Sequence, residues 1–207
     1  MDENQSYIKD IIRSRRSCRF FDPNGKVKDR DIDIMLDAAK WAPSARNLQP
    51  LEFVIVREKK RREKLTEYSR QPQPSQAPVS IVVLGDLKRA RDVGDISPHD
   101  TTTHIKGLKM FLYMDAAAAI QNMLLMAESL GYASLWIASF DEEDLDSFME
   151  LPNRFIPLSI ICIGDAQKEA IIPPKRELIE RVHSDDWKPL RQSEKHLSFS
   201  QKINEVF

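Results

Sequence analysis

Cysteine is scarce in this chain: Cys18 and Cys162 are the only two in 207 residues, and they form neither a Cys-x-x-Cys pair nor a metal-ligand spacing. A disulfide framework and a zinc-type centre are therefore excluded as the means of holding the fold, and a chain of this length can bury a sufficient core without them. An excess of charge of either sign is missing as well, with 31 Lys and Arg against 32 Asp and Glu. That balance gives no general attraction to nucleic acid, membrane surfaces or acidic partners, so any anion site has to be a local cluster. No apolar run reaches the roughly 18 residues that span a bilayer. The opening Met1-Asp2-Glu3-Asn4 is too acidic and polar for a signal peptide. A reduced, cytoplasmic protein is expected.

Signatures of side-chain catalysis are absent too. There is no GxGxxG after a strand, no Walker A lysine and no GxSxG elbow. His99 and His104 stand five apart in a polar stretch without an HExxH pattern, His183 and His196 have no evident partners, and Glu142-Glu143 belongs to a solvated helix face. No metal and no catalytic side chain is expected, which suits an enzyme whose cofactor carries the chemistry.

What is present reads as one α+β domain over 1–207, with 188–207 as a tail that is extended or mobile. Ile8, Ile11 and Ile12 predict a helix over 6–14, and Ile32, Met35, Leu36 and Ala39 a second, acidic at its start and ended by Pro43. Strands are expected at 53–56, 79–84, 133–138 and 158–163, the second and last apolar enough to be central. A charged helix is expected at 61–69, a proline-rich loop at 71–78, a lid without regular structure at 90–107, an acidic helix at 141–149 and a helical turn at 178–182. The dominant element is a helix over 108–130, stopped by Gly131. From 116 to 127 only Gln121 and Asn122 are polar. A helix apolar on nearly every side needs more cover than its own sheet, so a subunit interface is expected there, with Met123 inside it. The elements lack regular βαβ alternation.

Two clusters carry possible chemistry. Arg15-Arg16-Ser17-Cys18-Arg19 puts three guanidinium groups and a hydroxyl within five residues, suited either to a phosphate dianion or to a solvated basic turn. Cys18 is there either a thiol activated by the arginines or a small residue at a packed turn. In Ala42-Pro43-Ser44-Ala45-Arg46-Asn47-Leu48-Gln49-Pro50 two prolines bracket Ser, Asn and Gln. Such a segment fits the edge of a flat heterocycle or serves as an ordinary helix-to-strand connection.

In order along the chain, these pieces resemble the FMN-dependent nitroreductase family. Residues 11–21 are similar to its N-terminal signature, and Ala42 to Pro50 to its second motif. Ala119-Ile120-Gln121-Asn122 through Leu130-Gly131-Tyr132 resembles its long central helix and glycine stop, and Ile161-Cys162-Ile163-Gly164 with Lys175-Arg176 its last strand and C-terminal basic element. The resemblance implies a three-layer sandwich with a mainly antiparallel sheet and a long central helix at a homodimer interface. It implies that Arg15, Arg16, Ser17 and Arg176 grip the FMN phosphate and that Arg19 lies toward the flavin pyrimidine edge. Pro43, Ser44, Ala45 and Asn47 would come from the other subunit, and Trp136, Ile137, Ala138 and Ser139 would run beside the isoalloxazine. It further implies electron transfer from NADH or NADPH through FMN to a nitroaromatic, quinone or similar small acceptor. The alternatives are a specialised flavin enzyme of the same fold (dehalogenation, flavin fragmentation or ring oxidation), a non-catalytic flavin-binding or redox-sensing protein, or a cofactor-free protein with a basic surface patch. Leu51 stands where many members have tryptophan, Ala138-Ser139 where many have a glycine-containing pair, and Ala45 where a hydroxyl is frequent.

Overall fold

The computed structural model describes residues 3–92, 105–178, 181–183 and 185–187. The chain divides into two compact units, Met1–Glu169 and Ala170–Phe207.

The first unit is built on strands β1 (Leu51–Val56), β2 (Val79–Asp86), β3 (Ala133–Ile137) and β4 (Phe155–Gly164) in the order β1-β2-β4-β3. All three pairings are antiparallel, as the lack of βαβ alternation suggested. Every residue of β2 is buried, as is β4 from Pro157 onward, because these continuously apolar strands are covered on both faces. The period of two sends Val79, Ile81, Val83, Ile161 and Ile163 to one face and Val82, Leu84, Ile160 and Cys162 to the other. The first face packs on Ile32 and Met35 of α2 (Asp29–Lys40) and on Leu112, Ile120 and Met123 of α6 (Ile105–Ser129). The second packs on Leu65 of α3 (Lys59–Ser69) and Leu145 of α7 (Glu142–Met149). The result is helix, sheet and helix in three layers.

Several helix ends follow local rules. Asp141 caps α7 by accepting from the Asp144 amide at 3.1 Å. After α6, Gly131 takes φ 84, its amide donates to the Glu128 carbonyl and that of Tyr132 to the Ala127 carbonyl, the paired bonds of a Schellman stop. Helix α1 (Glu3–Ser14) carries the basic Arg13 in its last turn.

The proline-rich stretch is more ordered than its composition suggested, since a single turn α4 (Gln73–Gln76) forms in it with Pro at its start. Arg62 pins this turn by donating to the carbonyls of Pro74, Ser75 and Ala77. The expected lid is trimmed at both ends by α5 (Leu87–Asp92) and by the start of α6 at Ile105; residues 93–104 and the tail 188–207 lie outside the described residues. By length and composition Lys109–Ser129 is apolar enough to cross a membrane, contrary to the expectation that no run would be. Its Leu112, Ile120 and Met123 are nonetheless core residues of this fold, and a core helix meets the same criterion.

The buried face of α6 also corrects the expected reason for its composition. Within 116–127, Ala116, Ala119, Ile120, Met123, Leu124 and Ala127 are already buried within the protomer. The uncovered apolar residues lie further toward the start of the helix, at Met110, Tyr113 and Met114.

In the second unit the Arg181 and Val182 amides both donate to the Leu178 carbonyl, while residues 179 and 180 of the expected turn lie outside the described residues. The His183 and Trp187 rings approach to 5.9 Å.

Candidate functional site

The arginine cluster leaves α1 and joins the edge of the sheet. Ser17 forms a parallel bridge to Ser134 of β3, and the Cys18 amide donates to the Ser134 carbonyl at 2.9 Å. Downstream, Phe21 bridges to Ala166 just past β4. This edge pairing fixes where the side chains before and after it project. Arg15 and Ser17 line an open cleft of about 260 Å³ together with Gln121, Leu124, Ser134, Trp136 and Ala138. Two residues from the basic cluster and three from the 133–138 segment, about 120 positions apart in sequence, are thus brought together.

The other expected residues take different places. Arg16 donates from Nη1 to the Arg15 carbonyl at 2.8 Å, while its Nε is buried without a partner. Arg19 is exposed, and its carbonyl accepts from Gln73 Nε2 at 3.3 Å. Ile137 is 1% exposed and belongs to the α3/α7-side core, so strand alternation leaves only its backbone to the cleft edge. Ser139 is exposed beyond the end of β3. Arg176 is exposed in the second unit. Cys18 is buried and donates to the Phe20 carbonyl. Burial pushes its thiol up despite the neighbouring arginines, which favours the packed-turn reading over an activated thiolate.

Trp136 is held in the cleft by its edge. Its indole Nε1 donates to Ser159 Oγ at 2.8 Å, and that hydroxyl donates to the Leu158 carbonyl at 2.6 Å. The ring is therefore fixed while 37% of the residue stays exposed.

The second motif folds as a strained turn between α2 and β1. Ser44 is extended, and a 3-10 turn follows over Ala45–Asn47. Arg46, Asn47 and Gln49 have φ of 52°, 56° and 49°. Side-chain-bearing residues in this left-handed region cost about 1–2 kcal/mol each, less for Asn, and persist where surrounding bonds over-determine them. Those bonds are present. Asn47 N donates to the Ser44 carbonyl at 2.9 Å and Leu48 N to the Ala45 carbonyl at 3.0 Å. Gln49 N donates to Ser44 Oγ at 3.0 Å and Gln49 Nε2 to Asn47 Oδ1 at 3.1 Å. From outside the turn, Arg89 Nε holds the Leu48 carbonyl at 2.6 Å, and Asp115 Oδ1 accepts from the Ala45 amide at 3.0 Å. Pro43 and Ser44 line a second cleft of about 310 Å³ with Gln49, Pro50, Phe53, Asp115 and residues of α2.

The two clefts lie on opposite sides of one helix. At 100° per residue, Asp115 and Ala119 are about half a turn from Gln121 and Leu124. A single protomer does not bring the second motif to the Arg15–Trp136 cleft. The Gln121 side of α6 is also the side on which Met110, Tyr113, Met114 and Ala117 form a shallow apolar surface, so the first cleft opens beside uncovered apolar area.

Gln121, Leu124 and Ser134 were not foreseen as lining residues, although Gln121 is one of two polar breaks in the apolar stretch. Asp115, set between Met114 and Ala116, was the signal for the α6-to-turn tie. Gln73 and Gln76 each bury an Oε1 with no partner, and nothing in a proline-rich loop marked them. Chemically the first cleft offers donors and a fixed aromatic ring, with no paired acid and base among its lining, so it binds and orients rather than reacts.

Comparison with known proteins agrees with this geometry. The model of the nitroreductase family matches residues 12–165. A protein of Archaeoglobus fulgidus, provisionally named NADH dehydrogenase/NAD(P)H nitroreductase, is 28% identical over 86% of this chain and 97% of its own. An FMN reductase (NAD(P)H) of Bacillus subtilis is 29% identical over 81% of this chain and 70% of its own. In fold, the chain superposes with TM-score 0.76 on a protein of Exiguobacterium sibiricum, provisionally named nitroreductase and crystallised in complex with FMN, at 21% identity over 87% of this chain and 97% of that one. The chain belongs to the nitroreductase family.

Proposed function

We propose that the protein is an NAD(P)H-dependent FMN oxidoreductase whose flavin site is shared between the two subunits of a homodimer. The observation that carries the reading is the Arg15–Ser17–Gln121–Trp136–Ala138 cleft, inside a chain whose relatives are named as NAD(P)H nitroreductases and an FMN reductase.

The cleft fits FMN by its donor set. Arg15 and Ser17 are suited to the phosphate oxygens, and the buried, unpartnered Arg16 Nε beside them is a donor still lacking an acceptor. Trp136, held flat by Ser159, and Leu124 give an apolar wall to a planar ring. Arg19 sits toward the pyrimidine edge, where a cation stabilises negative charge that develops on reduction. Ile137, through its backbone, and Ser139 contribute at the ring edge. Pro43, Ser44, Ala45 and Asn47 act on the flavin of the partner subunit, since within one protomer they lie across α6 from the cleft.

When bound, FMN supplies the electron transfer, accepting from the nicotinamide and passing to an acceptor. The protein's residues bind it, hold its ring, keep water from one face and set the charge around it. The acceptor class is a nitroaromatic, quinone or similar electron-poor small molecule, and the setting is cytoplasmic.

Titration of apoprotein with FMN and riboflavin tests the site. FMN is expected to bind more tightly, and Arg15→Ala to narrow the gap by about ten- to hundredfold, the cost of a lost charge-assisted contact of roughly 1.5–3 kcal/mol. Equal affinity of the wild type for the two ligands would rule out the phosphate assignment.

A further inference from the structure

Asp115 is costly where it stands. It is 7% exposed, on an otherwise apolar stretch of α6, with Ala116, Ala119 and Ile120 in the core beside it. Its Oδ2 is buried with no partner, and burial pushes its carboxyl above the usual carboxylate range. An aliphatic side chain would suit the packing better. What the carboxylate does is accept the Ala45 amide at 3.0 Å, at the first residue of a turn that holds Arg46, Asn47 and Gln49 at positive φ. The end of the turn is fixed separately, by Ser44 Oγ on the Gln49 amide and by Arg89 on the Leu48 carbonyl. The start is fixed by Asp115.

We propose that Asp115 is a positioning residue for the flavin site, its buried carboxylate setting the 44–49 turn against α6 so that Ser44, Ala45 and Asn47 meet the flavin of the partner subunit. The proposal rests on the shared-site reading above. Helix α6 carries Asp115 on one side and Gln121 and Leu124 of the cleft on the other, so the tie sets the turn relative to the helix that also builds a cleft. Asp115 acts through the backbone of the turn and touches neither cofactor nor substrate.

Two substitutions break the same hydrogen bond from its two ends. Asp115→Ala removes the acceptor. Ala45→Pro removes the donor, and it is tolerated because Ser44 is already extended at φ −131°, ψ 154°, as a residue before proline must be, and Pro suits the first position of a helical turn. Each is expected to weaken FMN about tenfold or more while leaving the FMN-to-riboflavin ratio and the dimer unchanged. The double variant should be no weaker than either single one, because both remove one interaction. Asp115→Asn keeps an oxygen for the Ala45 amide and should restore binding.

Mixed dimers of Asp115→Ala and Arg15→Ala protomers provide the decisive arm. If Asp115 serves the partner's flavin, one of the two sites has both residues intact and binds FMN as the wild type does, while neither homodimeric variant has such a site. Two equally weakened sites in the mixed dimer would overturn the proposal, as would wild-type binding by both Asp115→Ala and Ala45→Pro. If Arg15→Ala loses flavin while both turn variants keep it, the positioning role alone fails. A wild type that takes up no FMN would overturn the functional reading and this role together.

Discussion

Cys162 lies mid-sheet, paired across from Ser80 on β2 and Leu135 on β3. Burial pushes its thiol up to about 12. An unfolded chain ionises this thiol near pH 8.5, so the stability it contributes is fully present below that pH and is lost as pH rises toward 12. Cys162→Ala should therefore flatten the alkaline decline, while costing some stability at neutral pH through the small cavity it leaves. Urea unfolding at pH 7 and pH 10 reads this, and a decline as steep in the variant as in the wild type would show another group responsible. At this scale the sequence was informative about chemistry and silent about conformation. Three arginines and a serine in five residues already suggested an anion site. That Arg16 turns a guanidinium nitrogen back onto the Arg15 carbonyl is a local choice no pattern records, and that Gln49 stands at positive φ depends on a turn bonded by residues far along the chain, Arg89 and Asp115.

Helix α6 separates the two explanations for an over-apolar helix. Met123 is fully buried among core residues of its own protomer, whereas Met114 is 60% exposed beside Met110 and Tyr113. Met123→Asp should unfold the protomer, because a charge inside a packed core costs several kcal/mol. Met114→Asp should leave the protomer folded and separate the dimer, with loss of bound flavin. Circular dichroism with light scattering distinguishes them, and a Met114→Asp protein that stays dimeric would place the interface elsewhere. Periodicity predicted nearly every strand and long helix to within a few residues, because apolar spacing records which face is buried. It cannot record what covers that face, so Met123 was expected at an interface when the sheet and α2 already covered it. It also missed α4 and α5, which are too short for a period to show.

For the whole molecule, the order of motifs along the chain implied family, cofactor and a site shared between subunits, and the geometry of α6 supports that proposed sharing by holding the second motif away from the Arg15–Trp136 cleft of its own protomer. The clefts face opposite ways from one helix, and the apolar surface at Met110, Tyr113 and Met114 adjoins only one of them. In the proposed dimer that surface is buried, and Ser44, Ala45 and Asn47 complete the Arg15–Trp136 cleft of the other copy. Such a site works by positioning and by charge, so activity should depend on flavin occupancy more than on any one acid or base. Stopped-flow absorbance of the flavin-loaded protein tests this most directly, first with NADH and with NADPH, then with nitroaromatics, quinones or free flavin added to the reduced protein. The account predicts that at least one nicotinamide bleaches the flavin band and that an electron-poor acceptor restores it over repeated cycles. A flavin band that neither nicotinamide bleaches, though dithionite does, would contradict it.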